Sequence, residues 1–242
     1  MKTIIMIPSR MASSRFPGKP MVKINGKPMI QRVWQQAINC NIGDVVVACS
    51  ENEVFDLITN LGGKAILTNP NLPSGTDRIY SALTKMPEHK EFDFVINLQG
   101  DMPIIKPQQI KKVINPLKHK YSIGTLATNL KRDEVSNKNV TKVSVKWDKN
   151  NIGQAKEFFR YKNKIDENTF HHVGIYSYTI KSIIDFVKLP TSKNEKLLNL
   201  EQYRAMDAGI GIGVTLENNI PPSIDTKEDL NLIETIIREN NE

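Results

Sequence analysis

Short continuous apolar runs alternate with stretches whose apolar positions recur every three or four residues, a rhythm that predicts buried strands separated by amphipathic helices. Thr3 to Pro8 reads as the first strand, because Ile4-Ile5-Met6-Ile7 is apolar throughout and too short for a membrane span or a signal peptide. An Asn25-Gly26 turn follows, and Ile30, Val33, Trp34, Ala37 and Ile38 then mark one helical face. Asp44 to Cys49 predicts a second strand. Val54, Leu57, Ile58 and Leu61 repeat the helical spacing, Gly62-Gly63 supplies a stop, and Lys64 to Leu67 predicts the next strand.

The alternation continues with a helix carrying Ile79, Ala82, Leu83 and Met86 behind Ser74-Gly75-Thr76-Asp77. Phe94 to Leu98 predicts a buried strand that ends at Gln99-Gly100-Asp101, and the carboxyl ends of parallel strands are where ligands gather. Ile110, Val113, Ile114 and Leu117 predict one more helix, and Ser122 to Ala127 one more strand. Beyond that point the pattern changes. Val143-Ser144-Val145-Lys146 and His171 to Tyr178 alternate at period two around a polar turn at Asp148 to Gly153, which predicts antiparallel strands. Helices are expected at Lys181 to Lys188 and around Asn199 to Met206, and a strand at Ile212 to Leu216. A last helix opens at Thr226, with Asp229 in capping-box position and Leu230, Ile233 and Ile237 on its buried face. The fold class that results is α/β, a mostly parallel Rossmann-like sheet flanked by helices with a small antiparallel extension. We expect one domain over residues 1–242, with the antiparallel sub-lobe roughly at 128–200.

Composition narrows the function. At 242 residues and 39% hydrophobic content the chain is long enough for a full core. Cys40 and Cys49 lack metal-ligand spacing and sit in apolar settings, so neither a disulfide framework nor a zinc site is expected, and a reducing cytoplasm is the expected location. The net charge of +7 comes from scattered lysines without interleaved aromatics, which argues against a nucleic-acid platform and suits a cationic pocket for small anions.

The loop after the first strand places Arg10, Arg15 and Lys19 on one short turn rich in Ser, Gly and Pro. Cations and loop amides together suit a triphosphate. The GxxxxGK[ST] spacing of a Walker loop is missing, and from composition alone a solvated cationic loop is the other reading.

The stretch Pro8-Ser9-Arg10-Met11-Ala12-Ser13-Ser14-Arg15-Phe16-Pro17-Gly18-Lys19-Pro20 resembles the P-A/S-R-x-x-S-x-R-x-P-G-K-P signature of the CMP-Kdo synthetases, cytidylyltransferases of 3-deoxy-manno-octulosonate (Kdo). Asn25-Gly26-Lys27-Pro28-Met29-Ile30 continues it. Ser74-Gly75-Thr76-Asp77-Arg78, Asn97-Leu98-Gln99-Gly100-Asp101, His172-Val173-Gly174-Ile175-Tyr176, Leu200-Glu201-Gln202-Tyr203-Arg204 and Asp225-Thr226-Lys227-Glu228-Asp229-Leu230 follow in family order. The resemblance spans nearly the whole chain.

It implies a nucleotidyltransferase sheet and in-line attack of the sugar's anomeric hydroxyl on the α-phosphate of CTP, for lipopolysaccharide biosynthesis. By the same resemblance Arg10, Ser13, Arg15, Lys19 and Arg78 bind the nucleotide, Lys19 meeting the α-phosphate, and Lys19, Arg10, Asp101 and Asp225 are the catalytic set. Asp101 and Asp225 resemble a carboxylate pair for magnesium, a hard cation that takes oxygen ligands and phosphates. Viewed alone, Asp101 is a strand-end turn and Asp225 a helix-entry residue; their place in two matching motifs reverses that reading. Gln99, Arg160, His172, Tyr176 and Glu201 resemble the sugar-acid pocket, with arginine for the carboxylate and the others for hydroxyls. Taken singly, His172 reads as a strand histidine and Glu201 as a surface helix residue. The antiparallel segment and the resemblance together suggest a homodimer, while the scattered lysines and the absence of an apolar run near ~18 residues lead us to expect no nucleic-acid partner and no membrane insertion.

Two departures stand out. Met102 replaces the usual glutamate after Asp101, which bears on a polar contact behind the metal site. The segment 160–172 is short and lacks an Ile-Pro element, which bears on the sugar side and on the equivalence of Arg160. A transferase for a related acid such as 8-amino-Kdo, a CMP-sialate synthetase and a non-catalytic binding relative are the rivals. The sialate enzymes resemble an R-G-G-S-K loop that this chain does not carry.

Overall fold

A computed structural model describes residues 1–12, 16–148 and 151–239. The chain forms two compact units, one built from residues 1–93, 97–110 and the chain from Pro221 onward, the other from 94–96 and 111–220.

In the first unit the strand Thr3–Ser9 lies parallel to Gly43–Cys49, in register from Thr3↔Gly43 to Ser9↔Cys49, and Lys64–Leu67 runs parallel along the far edge. Ile4, Ile5, Met6 and Ile7 are fully buried, as a strand covered on both faces requires. The helix Met29–Cys40 turns Met29, Ile30, Val33, Trp34, Ala37 and Cys40 inward. Its entry is a small hairpin, Lys23–Ile24 against Lys27–Pro28. Asn25 and Gly26 at its tip have φ of 44° and 79°, the two successive left-handed residues that give a turn the hand of the strands' own twist. The helix Asn52–Asn60 stops where Gly63 N–H donates to Ile58 O and Gly62 N–H to Thr59 O, each at 2.9 Å, and the strand Lys64–Leu67 follows at once.

The helix expected from Ile110 to Leu117 is interrupted. It forms as Pro107–Lys112 and a separate 3-10 turn, Asn115–Lys118. Pro116 has no N–H for the carbonyl four residues back and disfavours helical geometry at Asn115, so the apolar spacing cannot be realised as one helix.

In the second unit Ile123–Asn129 carries Thr169–Thr179 antiparallel on one edge and Ile212–Leu216 parallel on the other. Ile212–Leu216 lies antiparallel to Ile152–Phe159, which pairs with Lys142–Trp147, which returns to the start of Thr169–Thr179. The strands thus close into a ring, which leaves few free edges. The α/β class holds, and the antiparallel share begins earlier than expected, at Ile123. Ile152–Phe159 is a strand that period-two alternation does not reveal, because Phe158 and Phe159 are both buried and the pairing shifts register between Ser144 and Val145.

The helix Ile180–Lys188 forms as expected. The one expected from Asn199 does not begin there. Asn199 is the left-handed cap, at φ 52°, of a helix Lys193–Leu198 started by the reciprocal Ser192–Glu195 box, and Tyr203–Asp207 follows it. Among the described residues no helix is long and apolar enough to cross a membrane.

Candidate active site

The first unit gathers its site around one apolar cluster. Phe16 from the loop after the first strand, Ile24, Met29, Ile224 and Ile233 are all buried against one another. Packing Phe16 and Ile224 together brings their neighbours Lys19 and Asp225 to the same place. Lys19 opens a 3-10 turn, Lys19–Met21, in which Pro20 is buried at the second position, within the first turn where a backbone N–H has no intrahelical partner to lose. The loop closes through Gly18 N–H to Met11 O at 3.0 Å.

Asp101 arrives from the end of the strand Phe94–Asn97. Gly100 before it has no room for a side chain, since a Cβ would lie 2.9 Å from Pro8 O. Ile224 N–H donates to Asp101 O at 2.9 Å and so fastens the two acidic segments backbone to backbone. Lys19 Nζ then donates to Asp101 Oδ2 at 2.9 Å, to Ile224 O at 2.8 Å and to Asp225 Oδ1 at 3.3 Å. Asp229 fixes the other side of Asp225: its Oδ2 accepts from Asp225 N–H at 2.9 Å and from Thr226 N–H at 2.8 Å. Asp229 N–H returns a bond to Thr226 Oγ1 at 3.2 Å, which completes the cap of the helix Lys227–Glu239.

Gln99, two residues before Asp101, is tied by a relay to a neighbouring helix. Its Nε2 donates to Asn97 Oδ1 at 2.9 Å, and Asn97 Nδ2 donates to Thr76 Oγ1 at 3.2 Å on the helix Gly75–Leu83. Arg78 on that helix is buried, and its guanidinium donates to Thr68 Oγ1 at 2.6 Å and to the carbonyls of Asn69 and Pro70, each at 3.3 Å. Burial holds its pKa below the ordinary arginine value. These bonds fix the 68–70 segment, a role that the sequence does not disclose. Arg10 is exposed. Ser13 and Arg15 lie outside the described residues. Met102 is 4% exposed and belongs to the core, so the position behind Asp101 is apolar.

The second unit gathers His172, Tyr176 and Glu201. The ring centroids of His172 and Tyr176 are 5.5 Å apart, and Phe158 meets the imidazole edge-on at 4.9 Å. Burial, with a smaller contribution from His171, lowers the His172 pKa to about 3, so the ring is neutral. Burial raises the Tyr176 pKa well above its ordinary value, and the nearby Tyr178 and Glu201 push the same way. The Tyr176 hydroxyl is buried without a hydrogen-bond partner among the described residues. Thr125 Oγ1 lies 3.1 Å from His172 Nε2, 3.1 Å from Val173 O and 2.8 Å from Ile175 O. Arg160 lies apart from this group in its contacts, with Nη1 reaching the carbonyls of Lys138 and Asn139 at 3.5 and 3.4 Å. Thr125 belongs to no motif, and one threonine in an apolar strand carries no sequence signal.

Comparison with known proteins places the chain as a whole in a family. The profile of a family described as cytidylyltransferase matches residues 4–214. A 3-deoxy-manno-octulosonate cytidylyltransferase of Paramagnetospirillum magneticum is 38% identical over 97% of each chain. One from a Bradyrhizobium species is 41% identical over 95% of this chain and 94% of its own. The solved structure of a CMP:2-keto-3-deoxy-manno-octonic acid synthetase complexed with CTP superposes with a TM-score of 0.89 at 33% identity, covering 99% of this chain and 100% of that one.

Proposed function

The chain belongs to the cytidylyltransferase family, beside the 3-deoxy-manno-octulosonate cytidylyltransferases, and from that premise we propose that it transfers CMP from CTP to the anomeric hydroxyl of Kdo. The observation that carries the reading in this chain's own residues is the convergence of Asp101 and Asp225 on the single ammonium of Lys19. In the reaction the anomeric oxygen bonds to the α-phosphorus, the bond from that phosphorus to the bridging oxygen breaks, pyrophosphate leaves, and the hydroxyl proton passes to solvent. Such a transfer needs orientation and charge neutralisation, and no covalent intermediate on the protein.

Magnesium belongs to the proposal. Asp101 and Asp225 already share one cation, and both offer hard oxygen donors, so they fit an ion that takes one or two carboxylates and completes its shell with substrate phosphates and water. Among the described residues no cluster of three or more metal-ligating side chains occurs, which suits that mode better than an all-protein cage. When bound, the ion supplies charge neutralisation at the triphosphate. Lys19, Arg10 and the loop amides hold the phosphates, while Gln99, His172, Tyr176 and Glu201 serve the sugar acid. Arg78 acts on the nucleotide side through the backbone that it fixes. The same reading carries a homodimer in the cytoplasm, supported by the motif resemblance and tested by sedimentation and cell fractionation.

Pyrophosphate release tests the proposal. CTP, magnesium and Kdo together should release it, and omission of any one should stop release. Equal release with ATP, or none with Kdo but rapid release with the 8-amino analogue, would replace the nucleotide or the acid in this assignment.

A further inference from the structure

The motif His172-Val173-Gly174-Ile175-Tyr176 places its two polar rings four residues apart, a separation of ~13 Å along a regular strand. Their ring centroids are 5.5 Å apart instead. The strand pairing explains the difference. His172 is opposite Ala127 and Val173 opposite Leu126, but the next partner, Thr125, faces Tyr176. Gly174 and Ile175 have no counterpart on the neighbouring strand, so they form a bulge. His172 and Tyr176 become neighbours on one face, measured along Ala127 and Thr125.

Thr125 sits at the foot of that bulge, fully buried, with its hydroxyl within bonding distance of the carbonyls of Val173 and Ile175 and of His172 Nε2. A hydroxyl has one proton, and carbonyl oxygens only accept. The threonine proton therefore goes to the bulge, and the imidazole has to be the donor in the remaining contact. That network assigns the His172 proton to Nε2 and leaves Nδ1 as an acceptor. The Tyr176 hydroxyl beside it is buried and without a partner among the described residues.

We propose that Thr125 is the positioning residue of the sugar-acid subsite: it holds the bulge that sets His172 beside Tyr176 and fixes His172 as the Nε2–H tautomer, so that Nδ1 accepts from a hydroxyl of the acid. The inference rests on the assignment of His172 and Tyr176 to the sugar acid. A regular strand would separate the two rings, and a free imidazole would present a donor to the acid in part of the population. Thr125 touches neither substrate, and its effect passes through His172 and the bulge.

Thr125→Val keeps the shape and removes the hydroxyl, whereas Thr125→Ser keeps the hydroxyl. The valine variant should raise KM for Kdo about tenfold with KM for CTP unchanged, the scale of one lost positioning hydrogen bond, and the serine variant should restore most of it. Nitrogen-15 NMR of histidine-labelled wild-type protein should show the His172 proton on Nε2, and the valine variant should show a tautomer mixture. If the valine variant does not fold, the wild-type spectrum and the serine variant still decide. A proton on Nδ1 in the wild type, or an unchanged KM for Kdo in a folded valine variant, would overturn the inference. His172→Ala and Tyr176→Phe separate the two layers. If they raise KM for Kdo and Thr125→Val does not, the positioning role alone falls; if they leave it unchanged, the sugar assignment and this inference fall together.

Discussion

Lys19 donates to Asp101 at 2.9 Å, and the remaining protons of the same ammonium are taken by Asp225 at 3.3 Å and by the Ile224 carbonyl at 2.8 Å. An ammonium has three protons, so this arrangement uses all of them. A phosphate oxygen can gain a bond from Lys19 only as one of these partners lets go. A divalent cation on the two carboxylates competes for the same oxygens, so within the proposed function cation binding and the turning of Lys19 to phosphate are one exchange.

Replacing Lys19 tests that exchange. Lys19→Met should lower kcat by about 10²–10³, the usual effect of removing one preorganised donor from a transition state, while CTP binding weakens less. It should also bind manganese more tightly than wild type in the absence of nucleotide, because the competing ammonium is gone. Electron paramagnetic resonance titration reads this directly, and equal manganese affinity in the two proteins would refute the competition.

Asp101→Asn and Asp225→Asn each keep an oxygen that can accept from Lys19 and remove one unit of charge. The fold should be retained, with urea midpoints close to wild type, while turnover at limiting magnesium falls on the order of a hundredfold. Full activity in both variants at limiting magnesium would remove the metal assignment.

His172 makes stability depend on acid. Its pKa is about 3 in the folded chain against an ordinary 6.5, so between those values the unfolded chain binds a proton that the folded chain refuses. Its contribution is complete above pH 6.5 and declines as pH falls toward 3, with a slope of up to about 1.4 kcal/mol per pH unit. Urea unfolding at pH 7 and pH 5 should show wild type losing more stability than His172→Gln. A larger acid loss in the variant would contradict the burial argument.

Asp229 reaches the site through the backbone. Asp229→Ala removes the acceptor of the Asp225 and Thr226 N–H groups and should cost about 1 kcal/mol of stability, as other helix caps do. Because Asp225 loses its orientation as well, the magnesium concentration for half-maximal turnover should rise. Thermal melts and magnesium titrations together check both effects.

Much of this was legible in the sequence where the signal is contiguous. The apolar run Ile4 to Ile7, the Asn25-Gly26 turn and the Thr226–Asp229 box each carry their physics within a few residues. Pro116 and the Ser192-x-x-Glu195 box carry theirs equally openly; the apolar spacing around them suggested other boundaries, and local backbone chemistry prevailed. What the sequence could not display is pairing between distant segments. Ile224 contributes a carbonyl, which has no residue signature, and Thr125 acts on a bulge nearly fifty residues later in the chain. Arg78 was visible as a cation, but its acceptors at residues 68–70 depend on packing.

Phosphorus-31 NMR of a complete reaction tests the central claim most directly. With CTP, Kdo and magnesium, the account predicts loss of the three CTP resonances and equal growth of one phosphodiester signal, CMP joined to Kdo, and of pyrophosphate. Appearance of CDP with inorganic phosphate, or of free CMP as the primary product whether or not Kdo is present, would contradict it.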